Sequence, residues 1–516
     1  LRLFDAGALA EAPFDEGRGT VMVGGRYSYT AALLSIFSPE TLLSYWDYQA
    51  RISHDLGPRD RVSAFAFGSY DYLGEKTQTE TITLFGTEFH RVDLRYDRDL
   101  GGGGRVRVAA TGGLDRSRLQ EERYVRDRVL GGRVELELPL SESAWLRSGA
   151  DVQTDSYDVE IGPGDLSPGA RRVATYFPTR TDVALGAYGD VVLQIDPRFE
   201  VTPGVRADLY GSDGETTFAF DPRVALRARA SERVSVLGTF GIAHQPPSFV
   251  VPVPGFQPGG LSGGLQRALQ ESLGVEISLG DETTFTATVF QNAFFSMSDP
   301  LGSNEPELDG CPPGDRGRQP SGNPDCGDRF DPGTLGPDRT GGGGQAADSR
   351  GGRRVADAFE VRTMGSAYGL ELLLKKKLTD RVGGFLAYTL SRSMRSYDNR
   401  RYVASFDRTH VANAAVAYDL GRGFRAGTRV MFYTGLPKAP DPEHPEATRL
   451  PPFFRVDLRL EKRWQLGARS FVSLVAEWMN ATLSSEAVST ECTLAGCETE
   501  TIGPVTIPSL GVEGAF

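Results

Sequence analysis

The chain has no apolar run near the roughly 20 residues that a membrane-crossing helix requires, which excludes a helical membrane protein. Histidine is scarce: His54, His90, His244, His410 and His444 are the whole set, and none sits in an HExxH pair or beside a second ligand. No GxSxG elbow and no GxxxxGK[ST] phosphate loop occurs, and the GGGG runs at 101–104 and 341–344 read as turn or flexible-loop glycine. The expectation is a chain with no catalytic group, no metal site and no cofactor. Lysine is confined to positions 76, 375–377, 438 and 462, and the net charge is -12, so the basic footprint of a nucleic-acid binder is missing. There is also no basic, apolar, small-residue leader, and the chain opens on Leu1, so its natural N-terminus is expected to lie upstream.

Cysteine is nearly absent as well. Cys311 and Cys326 form one pair in sequence and Cys492 and Cys497 another, both in Gly-, Pro- or Thr-rich stretches without CxxC or histidine partners. Two short-range disulfides in an oxidising compartment fit this better than a zinc site, although three connectivities remain open.

Glycine is plentiful, at 62 of 516 residues, aromatics reach 10%, and hydrophobics only 39%. That balance is thin for several compact cores and suits one large barrel with a wet interior. Two-residue periodicity is the dominant signal. Phe454, Val456, Leu458, Leu460 and Trp464 alternate with Arg455, Asp457, Arg459 and Glu461, and Trp46, Tyr48, Ala50 and Ile52 alternate with Asp47, Gln49, Arg51 and Ser53. A soluble sandwich alternates in the same way, so one such strand decides nothing.

The spacing of turns decides more. Short polar links recur at 56–61, 100–105, 138–143, 195–199, 230–234, 279–283, 377–381, 420–424 and 466–470, and between them lie links of very unequal length, up to the stretch at 299–353. Tight turns on one side and long loops on the other are the layout of an outer-membrane barrel. Nine turns join eighteen strands; strands at about 18–32, about 505–516 and in LRLFDAG at the start bring the count to about 21. An even-numbered closed barrel of about 22 strands then requires one further strand before Leu1.

Several segments, in order, resemble the β-barrel of TonB-dependent outer-membrane receptors. They are GGRYSYT, YWDYQARIS and AFGSYDYL early in the chain, IAHQPPSF in the middle, and GLELLLKKKLTDRVGGFLAYTLSRSMRS, FDRTHVANAAVAYDLGRGFRAGTRVMFYTGLP and PPFFRVDLRLEKRW later. The resemblance runs over nearly the whole chain, which makes residues 1–516 one barrel domain. It implies a 22-stranded barrel in the outer membrane of a Gram-negative bacterium, plugged by an N-terminal domain that couples to the TonB complex of the inner membrane. The expected function is active uptake into the periplasm of a scarce or bulky solute, small or medium-sized and of the siderophore, vitamin, glycan or peptide class. Neither a plug nor a TonB box is found in the chain, because strand-like alternation begins within the first few residues. The rivals are a passive, plug-free porin or adhesin-like barrel, and a barrel enzyme or soluble β-repeat protein.

The barrel reading assigns its residues. An arginine facing lipid at the bilayer midplane costs about 2–4 kcal/mol, so the charged faces must look into the lumen. Trp46, Tyr48, Trp464 and Trp478 are the expected interfacial girdle against outer-membrane lipid. His244 and Gln245, and around another loop Arg392, Arg395, Tyr397 and Tyr402, fall at the outer mouth and are candidates to contact an anionic or hydrogen-bonding cargo; a structural or solvated role competes for each. FDRTH at 406–410 resembles a family feature of a strand entrance, which gives His410 a structural reading. The loop at 299–353 has too few bulky apolar residues to form its own core. Its Asp325, Asp328 and Asp331 lack EF-hand spacing and read as solvated acids. In SLGVEGAF, residues 509–516, Leu510, Val512 and Phe516 are expected to face lipid and Ser509 and Glu513 the lumen, with Phe516 resembling the terminal signal read by outer-membrane assembly machinery.

Overall fold

The computed structural model describes residues 2–29, 40–77, 81–119, 123–161, 178–247, 260–261, 264–280, 282–297, 363–378, 381–397, 400–438, 449–468, 470–493 and 496–516. The strands are β1 (Asp5–Phe14), β2 (Gly19–Ser28), β3 (Thr41–Asp55), β4 (Asp60–Lys76), β5 (Thr81–Gly101), β6 (Gly104–Leu119), β7 (Arg123–Ser141) and β8 (Ala144–Ile161). They continue with β9 (Arg180–Asp196), β10 (Phe199–Ser212), β11 (Glu215–Arg229), β12 (Val234–Gln245), β13 (Gln266–Gly280), β14 (Thr283–Met297), β15 (Thr363–Lys376) and β16 (Val382–Tyr397). The last are β17 (Arg400–Val403), β18 (His410–Gly421), β19 (Phe424–Tyr433), β20 (Phe453–Gln465), β21 (Phe471–Met479), β22 (Glu486–Thr493), β23 (Gly496–Ile502) and β24 (Ile507–Ala515).

Twenty-two of these form one sheet in which each strand pairs with its neighbour in the chain, and β22 and β23 form a separate hairpin. β17 and β18 pair with successive parts of β16, so they share one position and the 22 strands occupy 21. Neighbour pairing throughout is an antiparallel meander, the topology of an up-and-down barrel. Between its two ends runs an antiparallel bridge from Arg2 to Gly511, reinforced by an ion pair from Arg2 Nη2 to Glu513 Oε1 at 3.3 Å. The first strand differs from expectation. Arg2 N–H donates to Asp5 O at 2.8 Å, so LRLFDAG is mostly a reversal and the strand runs from Asp5 to Phe14.

All nine expected short links join successive strands, and a tenth, the 3-10 turn Asp15–Gly17, joins β1 to β2. In that turn Asp15 lies 2.7 Å from His54 Nε2 and accepts from Arg18 Nη2 at 2.6 Å; these bonds, His54 first, hold its carboxyl below the usual carboxylate range. Within the GGGG stretch, Gly102 and Gly103 carry φ of 61° and 90°, the left-handed backbone that a two-residue hairpin link needs and that glycine adopts without strain. One link on the opposite side is equally tight: Asp213 and Gly214 close β10 onto β11. The long stretch at 299–353, with Cys311, Cys326 and the three aspartates, lies outside the described residues.

Register fixes the faces. Leu458, Leu460 and Trp464 on β20 oppose Trp478, Ala476 and Val472 on β21, which in turn oppose Pro508, Leu510 and Gly514 on β24. This face is apolar and exposed; Phe516, 93% exposed, continues its parity. Arg459, Glu461 and Arg463 alternate onto the other face. On β7 the apolar face holds Leu130, Val134, Leu136, Leu138 and Leu140, and beyond it the same face turns to Arg128 and Arg126. Ten residues of a strand tilted by about 45° rise roughly 25 Å, which is the height of the apolar band of an outer-membrane barrel.

Aromatics gather where that band ends. Trp46 stacks at 6.2 Å on Tyr48 and 5.9 Å on Tyr70, and Tyr48 Oη lies 3.1 Å from His90 Nδ1. Trp464 sits near the tight-turn end of β20 with Lys462 Nζ 5.6 Å over its ring, while Trp478 sits near the loop end of β21 and donates from Nε1 to Thr506 Oγ1 at 3.0 Å. The tips of these rings are polar and their bodies apolar, which suits two interfaces.

Candidate functional site

The charged faces of the strands build one wall. Arg206 on β10 forks onto Asp151 at 2.8 and 3.0 Å and also reaches Asp208 at 2.7 Å; Arg223 on β11 takes Asp190 through two bonds of 2.9 and 2.7 Å. Such bidentate pairs are the strong form of a charge-assisted hydrogen bond. They lie flat because glycine lies beneath them. A Cβ on Gly186 would sit 2.1 Å from Arg206 Nη2, and one on Gly113 would sit 2.5 Å from the Cδ of Arg91.

Between β5 and β10 the wall encloses a recess of about 950 Å³ that is open on one side. Register sets its chemistry row by row. One row runs Phe89, Asp115, Asp127, Tyr157, Arg180 across β5 to β9, and the next runs Arg91, Gly113, Val129, Asp155, Asp182, Ser212 across β5 to β10. Two pairs of directly opposed residues are therefore carboxylate against carboxylate, Asp115 with Asp127 and Asp155 with Asp182. Like charges so placed destabilise a sheet. Asp115 is compensated by Arg91 through bonds of 2.6 and 2.8 Å, and Asp182 by Arg180 at 3.0 Å. Ser212 Oγ donates to Asp182 at 2.5 Å, and Gln153 Nε2 donates to Asp155 at 2.9 Å. Arg180 is itself buried, its Cζ 4.2 Å above the Tyr157 ring. Asp127 is 4% exposed, forms no ion pair among the described residues, and its Oδ1 has no hydrogen-bond partner.

Of the residues singled out in the sequence, Gln245 borders this recess together with Pro246 and Pro247. His244 is turned to β11, its N–H donating to Asp221 Oδ2 at 3.2 Å and its Nδ1 2.5 Å from Asp221 Oδ1. Arg392 lies 3.6 Å from Asp407 Oδ2, a carboxylate that also accepts from Arg449 and from the backbone N–H of Ser393. Arg395 donates to Ser393 Oγ at 3.3 Å, is 5.7 Å over the Phe294 ring, and pairs in register with Tyr402, which is buried; Tyr397 pairs with Arg400. No hydrogen bond or ion pair among the described residues joins the His244 pair to the Arg392 group. Asp407 and Arg408 occupy the excursion between β17 and β18, where Arg408 Nη2 meets Glu486 at 3.0 Å, and His410 Nδ1 lies 2.8 Å from Tyr388 Oη. Cys492 and Cys497 are backbone partners in the β22–β23 register.

The four-aspartate cluster was not picked out in the sequence. Its one local signal is the triplet Arg126, Asp127, Arg128, where alternation sends the acid to one face and both bases to the other; only the pairing of β7 with β6 brings Asp127 against Asp115.

A single sheet of tilted antiparallel strands, apolar outside and charged within, defines a transmembrane β-barrel of the outer-membrane type. The family model described as TonB dependent receptor-like, beta-barrel, matches residues 8–481, and the chain belongs to that family, whose members are outer-membrane transporters. No curated protein sequence matches it. Among solved structures, the ferric-catecholate import receptor Fiu from K12 E. coli in its closed form superposes with a TM-score of 0.63 at 10% identity, covering 99% of this chain and 81% of that one. A variant of the ferric enterobactin receptor PfeA from Pseudomonas aeruginosa in complex with enterobactin gives 0.63 at 14%, covering 99% and 78%. The FrpB iron transporter from Neisseria meningitidis gives 0.63 at 13%, covering 99% and 81%. At such identities the likeness is one of fold.

Proposed function

We propose that this chain is one barrel domain in the outer membrane of a Gram-negative bacterium, through which a small or medium-sized solute of the siderophore, vitamin, glycan or peptide class is taken up into the periplasm with energy delivered through the TonB complex. The reading is carried by the charged inner wall: a strand face dense in Arg–Asp and Arg–Glu pairs is stable only where water or a polar domain replaces lipid. Membership of a transporter family supports it, as do similar structures, among them import receptors for ferric catecholates and ferric enterobactin, an iron transporter and a copper transporter. The outward face of Leu458, Leu460, Leu510 and Val512 and the aromatic clusters supply the lipid contact, and Phe516 the signal for the assembly machinery.

In this reading Gln245 and His244 stand at the mouth on β12 and Arg392, Arg395, Tyr397 and Tyr402 at that of β16 and β17, as contacts for cargo, while the pairing of Arg392 with Asp407 also braces the excursion between β17 and β18. The register of Cys492 against Cys497 supports a disulfide across the β22–β23 hairpin. Uptake by a deletion strain and its complemented parent, on defined iron, vitamin and glycan sources, tests the function. Uptake that depends on the gene and collapses when TonB is deleted supports active transport. Gene-dependent uptake that persists without TonB would instead establish a passive pore.

A further inference from the structure

We propose that the recess between β5 and β10 binds an organic cation, an ammonium or guanidinium group, with Asp127 as the direct acceptor and Asp155 as its companion. Four carboxylates, Asp115, Asp127, Asp155 and Asp182, stand on four adjacent strands, and two guanidiniums, Arg91 and Arg180, stand among them. Two negative charges are left over in a largely buried setting. A buried charge without a partner is strongly unfavourable, so the surplus needs compensation from outside the wall.

The compensating group has to meet Asp127. Arg91 spends both arms of its fork on Asp115, and Arg180 directs Nε and Nη2 to Asp182 and Nη1 to Pro178 O at 3.4 Å. Neither reaches the Oδ1 of Asp127, which lines the recess, is nine-tenths buried, and has no partner. A proton would neutralise the carboxyl but leave an O–H without an acceptor. Water would satisfy the oxygen but not the charge. An N–H group carrying positive charge does both.

The occupant is organic rather than a metal ion. A hard divalent cation takes six or more oxygens, and no three acidic, histidine or cysteine residues converge at ligand spacing among the described residues. The carboxylates lie instead in two adjacent rows along the wall, Asp115 with Asp127 and Asp155 with Asp182, a layout that a diamine or a guanidine on an alkyl chain can follow. Binding rests on this geometry alone; that the cation arrives as a solute rests on the uptake reading above.

The test uses the full chain in detergent micelles and calorimetric titration with agmatine, putrescine and neutral 1,5-pentanediol. Saturable binding of agmatine or putrescine and none of the diol is expected. Losing one charge-assisted bond should weaken binding about tenfold or more in Asp127→Asn. Asp190→Asn, whose carboxylate is already held by Arg223, should stay within about twofold. Asp155→Asn, with an expected loss of about threefold or more, serves if Asp127→Asn does not give the folded, heat-modifiable species. Equal affinity in the wild type and the folded variants, or no saturable binding of either cation, overturns the proposal, as does an infrared carboxylic-acid band lost in Asp127→Asn and indifferent to agmatine. Accumulation of agmatine in cells separates the sources. Asp127-dependent accumulation identifies a solute, and binding in micelles without such accumulation identifies a Lys or Arg of another protein segment, leaving the site standing while removing its link to uptake.

Discussion

Two stretches of the inner wall follow the same alternation and end differently. On β20, β21 and β24, Arg455 meets Asp457 at 2.7 Å, Arg463 meets Glu461 at 2.8 Å, and Arg459 is set among Glu477, Glu461 and Glu513, the last also reached by Arg2. Four acids are answered by four arginines, and the fully buried Ser473 Oγ donates to Glu461 at 2.9 Å. On β6 to β9, four acids share two arginines. The first stretch is complete without a ligand and the second is not, which separates structural charge from charge left available for binding.

The largest effect should come from widening the imbalance. Arg91→Met leaves Asp115 as a third uncompensated carboxylate and should destabilise the barrel by about 3–5 kcal/mol, read from the denaturant midpoint of the heat-modifiable folded form. Next, arginine placed on the apolar face should not distinguish the two stretches: Val134→Arg and Leu458→Arg should each cost about 2–4 kcal/mol near the middle of the band. A large difference between them would show that the stretches do not share one lipid exposure. The sharpest contrast is in sign. Glu461→Gln should destabilise by about 1–3 kcal/mol because it strips Arg463 and Ser473 of their acceptor, whereas Asp127→Asn in the ligand-free barrel should stabilise by about 1 kcal/mol by relieving like-charge opposition. The same sign for both would end the comparison.

The smallest effect lies outside both stretches. Asp15 in the first tight link has a lowered carboxyl, so its contribution is present at neutral pH and is lost only as the pH falls from the ordinary value of 3.8 through the lowered one. Because Asp15 is exposed, Asp15→Asn should lower the unfolding midpoint only slightly at neutral pH, and the gap between variant and wild type should close as the pH falls through that range; a gap that widens on acidification would contradict the assignment.

The strands were legible because each carries its own two-residue code: the face holding Leu458, Leu460 and Trp464 is readable without knowing any neighbour. Tight turns were equally legible, since polar, glycine-bearing links such as 100–105 act locally. The first strand was misplaced because a turn at Arg2–Asp5 depends on one backbone hydrogen bond that no pattern announces. The β22–β23 hairpin was missed for a related reason. Its strands lie between the strand that follows 466–470 and the one at about 505–516, where alternation is weak and pairing comes from opposition of two short runs.

The candidate residues at the mouths were placed by position along strands, and position says nothing of partners. That Asp221 holds His244 and that Asp407 holds Arg392 follows from contacts between strands or across an excursion. Asp127 is the clearest case: in sequence it is one acid between two arginines.

Alternating strands with tight turns on one side and unequal loops on the other are dictated by residues adjacent along the chain, because alternation and turn chemistry are properties of such neighbours. Which charges oppose each other is set by the assembled sheet, because register brings side chains from different strands to contact distance. A slip of one residue would turn each of them to the other face.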